Sequence, residues 1–87
     1  MRNKDIVLAW IHGRAARTKS FSFTTDGKFL RSYNLVIGYT NDLGQVFVLD
    51  YTSPDNFQSQ TTSTHVGLAK RAVHESNIID PREYTNV

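Results

Sequence analysis

Residues 28–52, KFLRSYNLVIGYTNDLGQVFVLDYT, decide the fold that we predict. Strand-forming residues lie on both sides of a polar, glycine-ended segment at residues 40–44, which has the composition of a hairpin loop. We therefore predict one long strand at residues 28–39 and a returning strand at residues 45–52. In the first strand, alternation places Tyr33 and Leu35 on one face and Asn34 and Val36 on the other.

The chain before this hairpin predicts two further strands. Residues 6–11, IVLAWI, form a short apolar run before His12-Gly13 and predict a strand buried on both faces. Residues 14–19 are polar and basic, and we expect a connection there. Residues 20–25, SFSFTT, alternate and predict a strand with Phe21 and Phe23 on one face, which a tight turn at Asp26-Gly27 joins to the next strand.

The chain after the hairpin predicts a helix. Ser63 or Thr64 fits its N-cap, and apolar residues then recur at helical spacing to about Ser76. Gly67 weakens this helix by roughly 1 kcal/mol relative to alanine without cancelling the pattern. The stripe comprises Val66, Ala69, Ala72 and Val73. The whole pattern predicts an α+β fold, with a small antiparallel sheet of about four strands followed by one C-terminal helix.

Length and composition favour one small globular unit. The 87 residues are 39% hydrophobic and 21% charged, so we predict a single domain, residues 1–87, with flexible tails at 1–5 and 77–87. The absence of cysteine excludes disulfides and thiolate metal sites. Self-association is the remaining way to reinforce so small a core, and the prediction leaves a homo-oligomer open.

Charge and hydropathy argue against nucleic acid and membranes as partners. Ten basic residues against eight acidic ones give a net charge of +2, which is not the balance of a dedicated nucleic-acid binder. No apolar run approaches the roughly 20 residues of a membrane span, and the start lacks the apolar core of a signal peptide. We therefore expect a cytoplasmic protein without a membrane partner.

The polar run at residues 58–65, QSQTTSTH, is the best candidate for a ligand site. It lies at the predicted helix start, where unpaired backbone N–H groups favour a phosphate or carboxylate. The alternative is that its hydroxyls only cap the helix and form a turn. Two cations follow it, and strand tyrosines offer stacking surfaces, although tyrosines at such positions are more often core. The predicted ligand-binding residues are Ser59, Gln60, Thr61, Thr62, Ser63, His65, Lys70, Arg71, Tyr33 and Tyr51.

No residue pattern points to catalysis, a metal or a cofactor. His12, His65 and His74 lack a second ligand at metal-binding spacing. His65 lies close to Ser63, but nucleophilic catalysis also needs an orienting group and an oxyanion donor. Asp50 is an acid inside a predicted strand, and it either pairs in the interior or faces solvent at an edge. We predict a protein that is not an enzyme and that has no metal and no cofactor.

Three segments of the chain carry a resemblance to a family. They are residues 30–40 (LRSYNLVIGYT), residues 50–52 (DYT) and residues 59–66 (SQTTSTHV), with Gly44 between the first two. In this combination the chain resembles an uncharacterised family of short proteins from tailed bacteriophages, over residues 30–69 or about half of its length. The resemblance implies an accessory protein made inside an infected bacterium. It implies no particular activity.

Three functions follow as hypotheses. The first is a non-enzymatic phage accessory protein that binds a small phosphate-bearing ligand and sequesters a host nucleotide signal. The second is a protein–protein inhibitor of a host defence or metabolic protein, which contacts its target through an exposed aromatic residue or a strand edge. The third is weak nucleic-acid binding, through Arg14, Arg17, Lys19, Lys70 and Arg71.

Overall fold

The computed structural model describes residues 2–53 and 56–85 of the chain. Within these ranges lie three α-helices and six strands, so the predicted α+β class is confirmed, while the expected four strands and one C-terminal helix differ from what is found. The elements are α1 (Asn3–Ile11), β1 (Ala15–Arg17), β2 (Phe23–Asp26), β3 (Phe29–Ser32), β4 (Leu35–Thr40), β5 (Val46–Leu49), α2 (Gln60–Ala72), a 3-10 turn (Glu75–Asn77), β6 (Ile78–Ile79) and α3 (Pro81–Thr85).

The strands form one mixed sheet in which spatial order follows chain order from β1 to β6. The first five strands pair antiparallel with their neighbours, whereas β6 pairs parallel with β5. A parallel pair requires a crossover, and α2 provides it. In the described part of the chain, no helix has the length and apolar character that a bilayer crossing requires.

The apolar run at residues 6–11 lies in helix α1, so the strand predicted there is wrong. Burial follows a helical face, since Ile6, Val7, Ala9 and Trp10 are buried while Leu8 between them is half exposed. The Asp5 carboxylate accepts a hydrogen bond from the Arg2 N–H in the opening turn, at 3.1 Å. Residues 3–5, for which we predicted a flexible tail, are the first turn of this helix.

The predicted long strand at residues 28–39 is two strands joined by a tight turn. Tyr33 has φ of 56°, a left-handed conformation that is uncommon for a non-glycine residue, and Ser32 pairs with Leu35 across the turn. The register between β3 and β4 also shifts, because Leu30 pairs with Gly38 but Arg31 pairs with Val36. The simple alternation that we predicted therefore fails across this bulge.

The predicted strand at residues 20–25 begins three residues late. Phe23 opens β2 and is fully buried, but Phe21 adopts φ of 60° in the preceding bend and remains 57% exposed. The two phenylalanines therefore do not share a face. The segment 14–19, which we expected to be a connection, contains the edge strand β1. The turn at Asp26-Gly27 is confirmed, with Asp26 Oδ1 accepting hydrogen bonds from the N–H groups of residues 28 and 29.

Helix α2 begins earlier than predicted and ends earlier. Ser59 is its N-cap instead of Ser63 or Thr64, and the last helical residue is Ala72 instead of a residue near Ser76. From the predicted stripe, Val66 and Ala69 are buried, whereas Ala72 is exposed and Val73 is half-buried. Residues 77–85, the other predicted flexible tail, contribute to the 3-10 turn, β6 and α3.

Trp10 anchors α1 to the middle of the sheet. Its ring is fully buried, and its indole N–H donates a hydrogen bond to the Lys28 carbonyl at 3.0 Å. The ring lies directly over Gly38, where a side-chain Cβ would stand 2.9 Å from Trp10 Cζ2. Gly38 is therefore required by close packing, which is one of the reasons for glycine inside a strand.

We expect Gly38→Ala to destabilise the protein by about 1–3 kcal/mol, because an added methyl group in this contact forces the tryptophan or the strand to move. Gly67→Ala is the matched control: a Cβ there would meet nothing within 4 Å, and the helix should gain about 0.5–1 kcal/mol. Urea unfolding of the two variants measures both effects. Equal stability of the two variants would contradict the packing of Trp10 on Gly38.

Candidate functional site

A buried polar cluster connects the end of β3 to the first turns of α2. The Ser32 hydroxyl oxygen lies 3.0 Å from Thr62 Oγ1 and 2.8 Å from His65 Nδ1. All three residues are at most 3% exposed. Buried polar groups need such partners, so this cluster fixes the position of α2 on the sheet. We refer to Ser32, Thr62 and His65 as the buried polar cluster.

The imidazole of His65 is enclosed by apolar surface as well as by hydroxyls. Its ring stacks on Phe23, with ring centroids 4.1 Å apart and planes within 5° of each other. Burial lowers the pKa of His65 below its ordinary value of 6.5, since the charged form loses hydration there. The cluster joins two distant segments of the chain, because Ser32 comes from residues 30–40 and the other two members come from residues 59–66.

Most of the predicted ligand-binding run is used to build α2. Ser59 Oγ accepts a hydrogen bond from the Thr62 N–H at 3.1 Å, and Thr64 Oγ1 donates to the Gln60 carbonyl at 3.1 Å. Thr62 and His65 point into the buried polar cluster, while Gln60 and Thr61 are exposed. Ser63 Oγ is buried and has no hydrogen-bond partner among the described residues, so capping and packing account for only part of the run.

Of the remaining predicted ligand residues, Arg71 lines a hollow of about 270 Å³ with Ser63 and Thr64, whereas the other three lie elsewhere. Lys70 Nζ lies 3.3 Å from Asp50 Oδ2 and 3.2 Å from Thr52 Oγ1, so it pairs with the end of β5. Tyr51 is only 8% exposed, and Tyr33 projects from the β3–β4 turn with 54% of its surface exposed. Arg71 lies exposed on the side of α2. The structure therefore does not assemble the ten residues into one pocket.

Asp50 lies just after β5, and it is paired without being in the interior, since its side chain is 28% exposed. Partial burial alone raises the pKa of its carboxyl group. Hydrogen bonds from the Thr52 hydroxyl, the Thr52 N–H and Lys70 outweigh that effect, and the pKa lies below its ordinary value of 3.8. The carboxylate therefore serves to hold the residues after β5 against α2.

The histidines do not form a reactive or metal-binding group. His65 contacts Ser32 instead of Ser63, and in this conformation the pair is shut off from solvent and from any substrate. His12 and His74 are exposed at other places in the fold. Across residues 2–53 and 56–85, histidine and carboxylate side chains nowhere gather in a set of three that could hold a metal ion.

The β1 edge, residues 14–18, offers an open backbone. Strand β1 pairs with β2 alone, and the Thr18 N–H donates to the Phe23 carbonyl at 3.0 Å. In an antiparallel ladder the bonded residues alternate, so Ala16 also faces β2, and the N–H and C=O groups of Ala15 and Arg17 point away from the sheet. Those groups are free to pair with an added strand.

A shallow hollow of about 440 Å³ flanks the β1 edge, lined by Ala15, Ala16, Arg17, Phe21, Thr24 and Thr25. The Arg17 guanidinium lies 4.8 Å from the centre of the exposed Phe21 ring, a cation–π contact. Arg14 and Lys19 are exposed beside it. The sequence showed that residues 14–19 are basic. It did not predict strand β1, because the pattern of Ala15–Arg17, three residues with two alanines, is too weak to indicate a strand.

Comparison of this chain with protein-family models, with curated proteins and with solved structures finds no match.

We expect stability to fall as pH drops below 6.5 because of His65. The folded state binds the His65 proton less tightly than the unfolded state. The stabilisation that neutral His65 contributes is therefore complete above pH 6.5 and is lost as the pH falls through the lower pKa of the folded protein. Urea midpoints at pH values of about 7.5 and about 5 measure the loss. His65→Gln should lose less stability between them than the wild type, and His12→Gln should behave like the wild type. Equal losses in all three proteins would exclude His65 as the cause.

We expect Ser32→Ala to destabilise the protein by about 1–3 kcal/mol, because it removes the hydroxyl that both Thr62 and His65 contact in the interior. Ser20→Ala, at an exposed serine, should change stability by no more than about 0.5 kcal/mol. Denaturant unfolding of both variants provides the measurement. A Ser32→Ala protein as stable as the Ser20→Ala protein would show that the buried polar cluster does not hold α2 in place.

Proposed function

We propose that this chain is a non-enzymatic binding protein that captures an extended, acidic segment of a partner protein along the β1 edge. The observation that supports it most directly is the outward backbone of Ala15 and Arg17 on a strand with one free side. Addition of a peptide strand to an open sheet edge is a recurrent mode of recognition, in which main-chain hydrogen bonds supply affinity.

The surroundings of the edge offer space for the partner's side chains. Successive side chains of an added strand point to opposite sides of the sheet. Two hollows meet at Ala15, one beside Arg17 and Phe21 and one of about 270 Å³ lined by Asp5, Leu8, Ala9, Arg14 and Ala15. We propose that they receive side chains of the extended segment, since pockets for alternate side chains give such complexes their specificity.

Charge favours an acidic segment. Arg14, Arg17 and Lys19 are exposed along the edge. Asp26, which pairs with Ala15 across the sheet, is already engaged by two backbone N–H groups and by Arg31, whose Nη1 lies 3.6 Å from its carboxylate. The cations therefore dominate the β1 edge, and complementary charge speeds encounter and selects among partners.

The same charges disfavour pairing of two copies through this edge. Basic residues on short edge strands are a common protection against edge-to-edge association, because like charges meet across the new pair. An acidic partner meets no such repulsion. The charge pattern therefore supports a specific heterologous partner over a second copy of the chain.

The resemblance to short proteins of tailed bacteriophages is consistent with a partner in the cytoplasm of an infected bacterium, such as a host defence or metabolic protein. The hypothesis of a phosphate-bearing ligand stays a prediction. It has less support than binding at the β1 edge, because capping and packing contacts engage much of the helix start that motivated it. The nucleic-acid hypothesis has less support, because Lys70 is paired with Asp50 away from the β1 edge.

Nuclear magnetic resonance titration of the full chain with a capped peptide of alternating glutamate and valine tests the proposal. We expect the backbone resonances of residues 14–18 to shift and the amide protons of Ala15 and Arg17 to exchange more slowly with solvent. Ala15→Pro removes one outward N–H without removing a bond to β2, and should weaken binding about tenfold, or 1.4 kcal/mol. Phe21→Asn should also weaken binding.

The controls separate the edge from general stickiness. Leu43→Asn changes another exposed apolar residue, in the β4–β5 loop, and should leave the affinity unchanged. A peptide of alternating lysine and valine should bind at least about tenfold more weakly than the acidic one. The proposal fails if the acidic peptide does not bind, if both peptides bind equally, or if the shifts concentrate on residues 59–71 instead.

A further inference from the structure

A further recess lies between α1 and α2. We name it the helix groove; it has a volume of about 190 Å³ and is lined by Lys4, Val7, Leu8, Leu68, Arg71 and Ala72. A hollow of about 270 Å³ at Ser63, Thr64 and Gly67 continues it, because Leu68 and Arg71 line both recesses. The two recesses therefore follow α2 over most of its length.

Each wall of the helix groove presents one face of a helix. Lys4, Val7 and Leu8 from α1 stand at positions i, i+3 and i+4, and so do Leu68, Arg71 and Ala72 from α2. Residues at this spacing are neighbours on the helix surface. Both walls thus combine aliphatic side chains with one cation, and Leu8 leaves 50% of its surface exposed there.

Gly67 has no explanation within the chain itself. It lies in the interior of α2, has no positive φ, and a Cβ built on it would meet nothing within 4 Å. Glycine at such a position costs the helix about 1 kcal/mol relative to alanine. A bare backbone here creates a place where another molecule can approach the helix closely, as small residues do at helix–helix contacts.

The charges around the helix groove have one sign. Neither Lys4 nor Arg71 belongs to an ion pair found among the described residues. The nearest acidic neighbour, Asp5, lines the adjoining recess and already accepts a hydrogen bond from the Arg2 N–H. A partner with carboxylates on either side of an apolar stripe would match both cations and both aliphatic walls.

From these features we propose that the helix groove binds an amphipathic helix of a partner protein, with an aliphatic stripe flanked by aspartate or glutamate. Helices α1 and α2 satisfy their own backbone groups and offer no edge to an extended strand, so packing of side chains must supply the affinity. Ser63 and Ala72 lie about 14 Å apart along α2 at 1.5 Å per residue, which is enough for about two and a half turns of a partner helix. This site adjoins one hollow of the β1 edge through Leu8, but its other lining residues are different.

Selection from a display library of helical peptides tests the proposal. The library keeps an aliphatic stripe and varies the flanking positions among acidic, basic and neutral residues, and the immobilised full-length chain is the target. We expect aspartate and glutamate to be enriched at the flanking positions. The affinity of a selected peptide, measured by fluorescence anisotropy, should fall at least about tenfold with Gly67→Leu and with Lys4→Glu combined with Arg71→Glu.

Further variants keep the result interpretable. Gly67→Ala should be at least as stable as the wild type yet bind more weakly, which excludes unfolding as the cause. Ala15→Pro should leave this affinity unchanged, so the two proposed sites are distinguished. Enrichment of lysine at the flanking positions, failure to select any peptide, or equal affinity for the wild type and Gly67→Leu would overturn the proposal. Dimers of the wild type in light scattering that Gly67→Leu does not form would also overturn it, because the occupant would then be a second copy.

Discussion

The contact of Ser32 with Thr62 and His65 is the constraint on which the arrangement of this protein depends. It joins the end of β3 to the first turns of α2, and the stacking of His65 on Phe23 adds β2 to the same junction. Thr62 faces inwards from the first turn of α2, which starts at Gln60 with Ser59 as its cap. This orientation places Gly67, Leu68 and Arg71 along the helix groove and the hollow that continues it.

The sequence predicted the turns and loops that are stabilised by side chains nearby in the chain. Asp26-Gly27 forms the expected turn, and the loop predicted at residues 40–44 lies one residue later, at 41–45, since Thr40 still belongs to β4. Both follow from local contacts, in which the side chains of Asp26 and Asn41 accept hydrogen bonds from nearby backbone N–H groups. The apolar run at residues 6–11 misled us because, at six residues, a buried helix face and a buried strand look alike. The turn at Tyr33 was not predicted, since neither glycine nor proline marks it. The Tyr33 N–H donates to the Ser22 carbonyl at 2.8 Å, a contact that the local sequence does not show.

The candidate sites show a similar division. The sequence revealed that residues 59–65 are polar, and that most of them carry hydroxyl groups, near the start of a helix. It could not show that Thr62 and His65 would be buried in contact with Ser32. Burial of a polar residue depends on partners that are distant along the chain, and a single sequence does not display them. The β1 edge was missed for another reason: which strand lies at the margin of a sheet follows from the order of all the strands, and Ala15–Arg17 is too short to indicate even that it is a strand.

The parallel pairing of β6 with β5 has a consequence for the order of assembly. Every other pairing in the sheet joins strands that a short turn or loop connects, whereas the whole of α2 separates Val48 from its partner Ile78 in the chain. Loop-closure entropy delays such a contact, so β6 should be the last strand to join and the first to detach during transient opening. The unpaired margin on this side of the sheet would then pass briefly from β6 to β5 whenever the final segment lifts away.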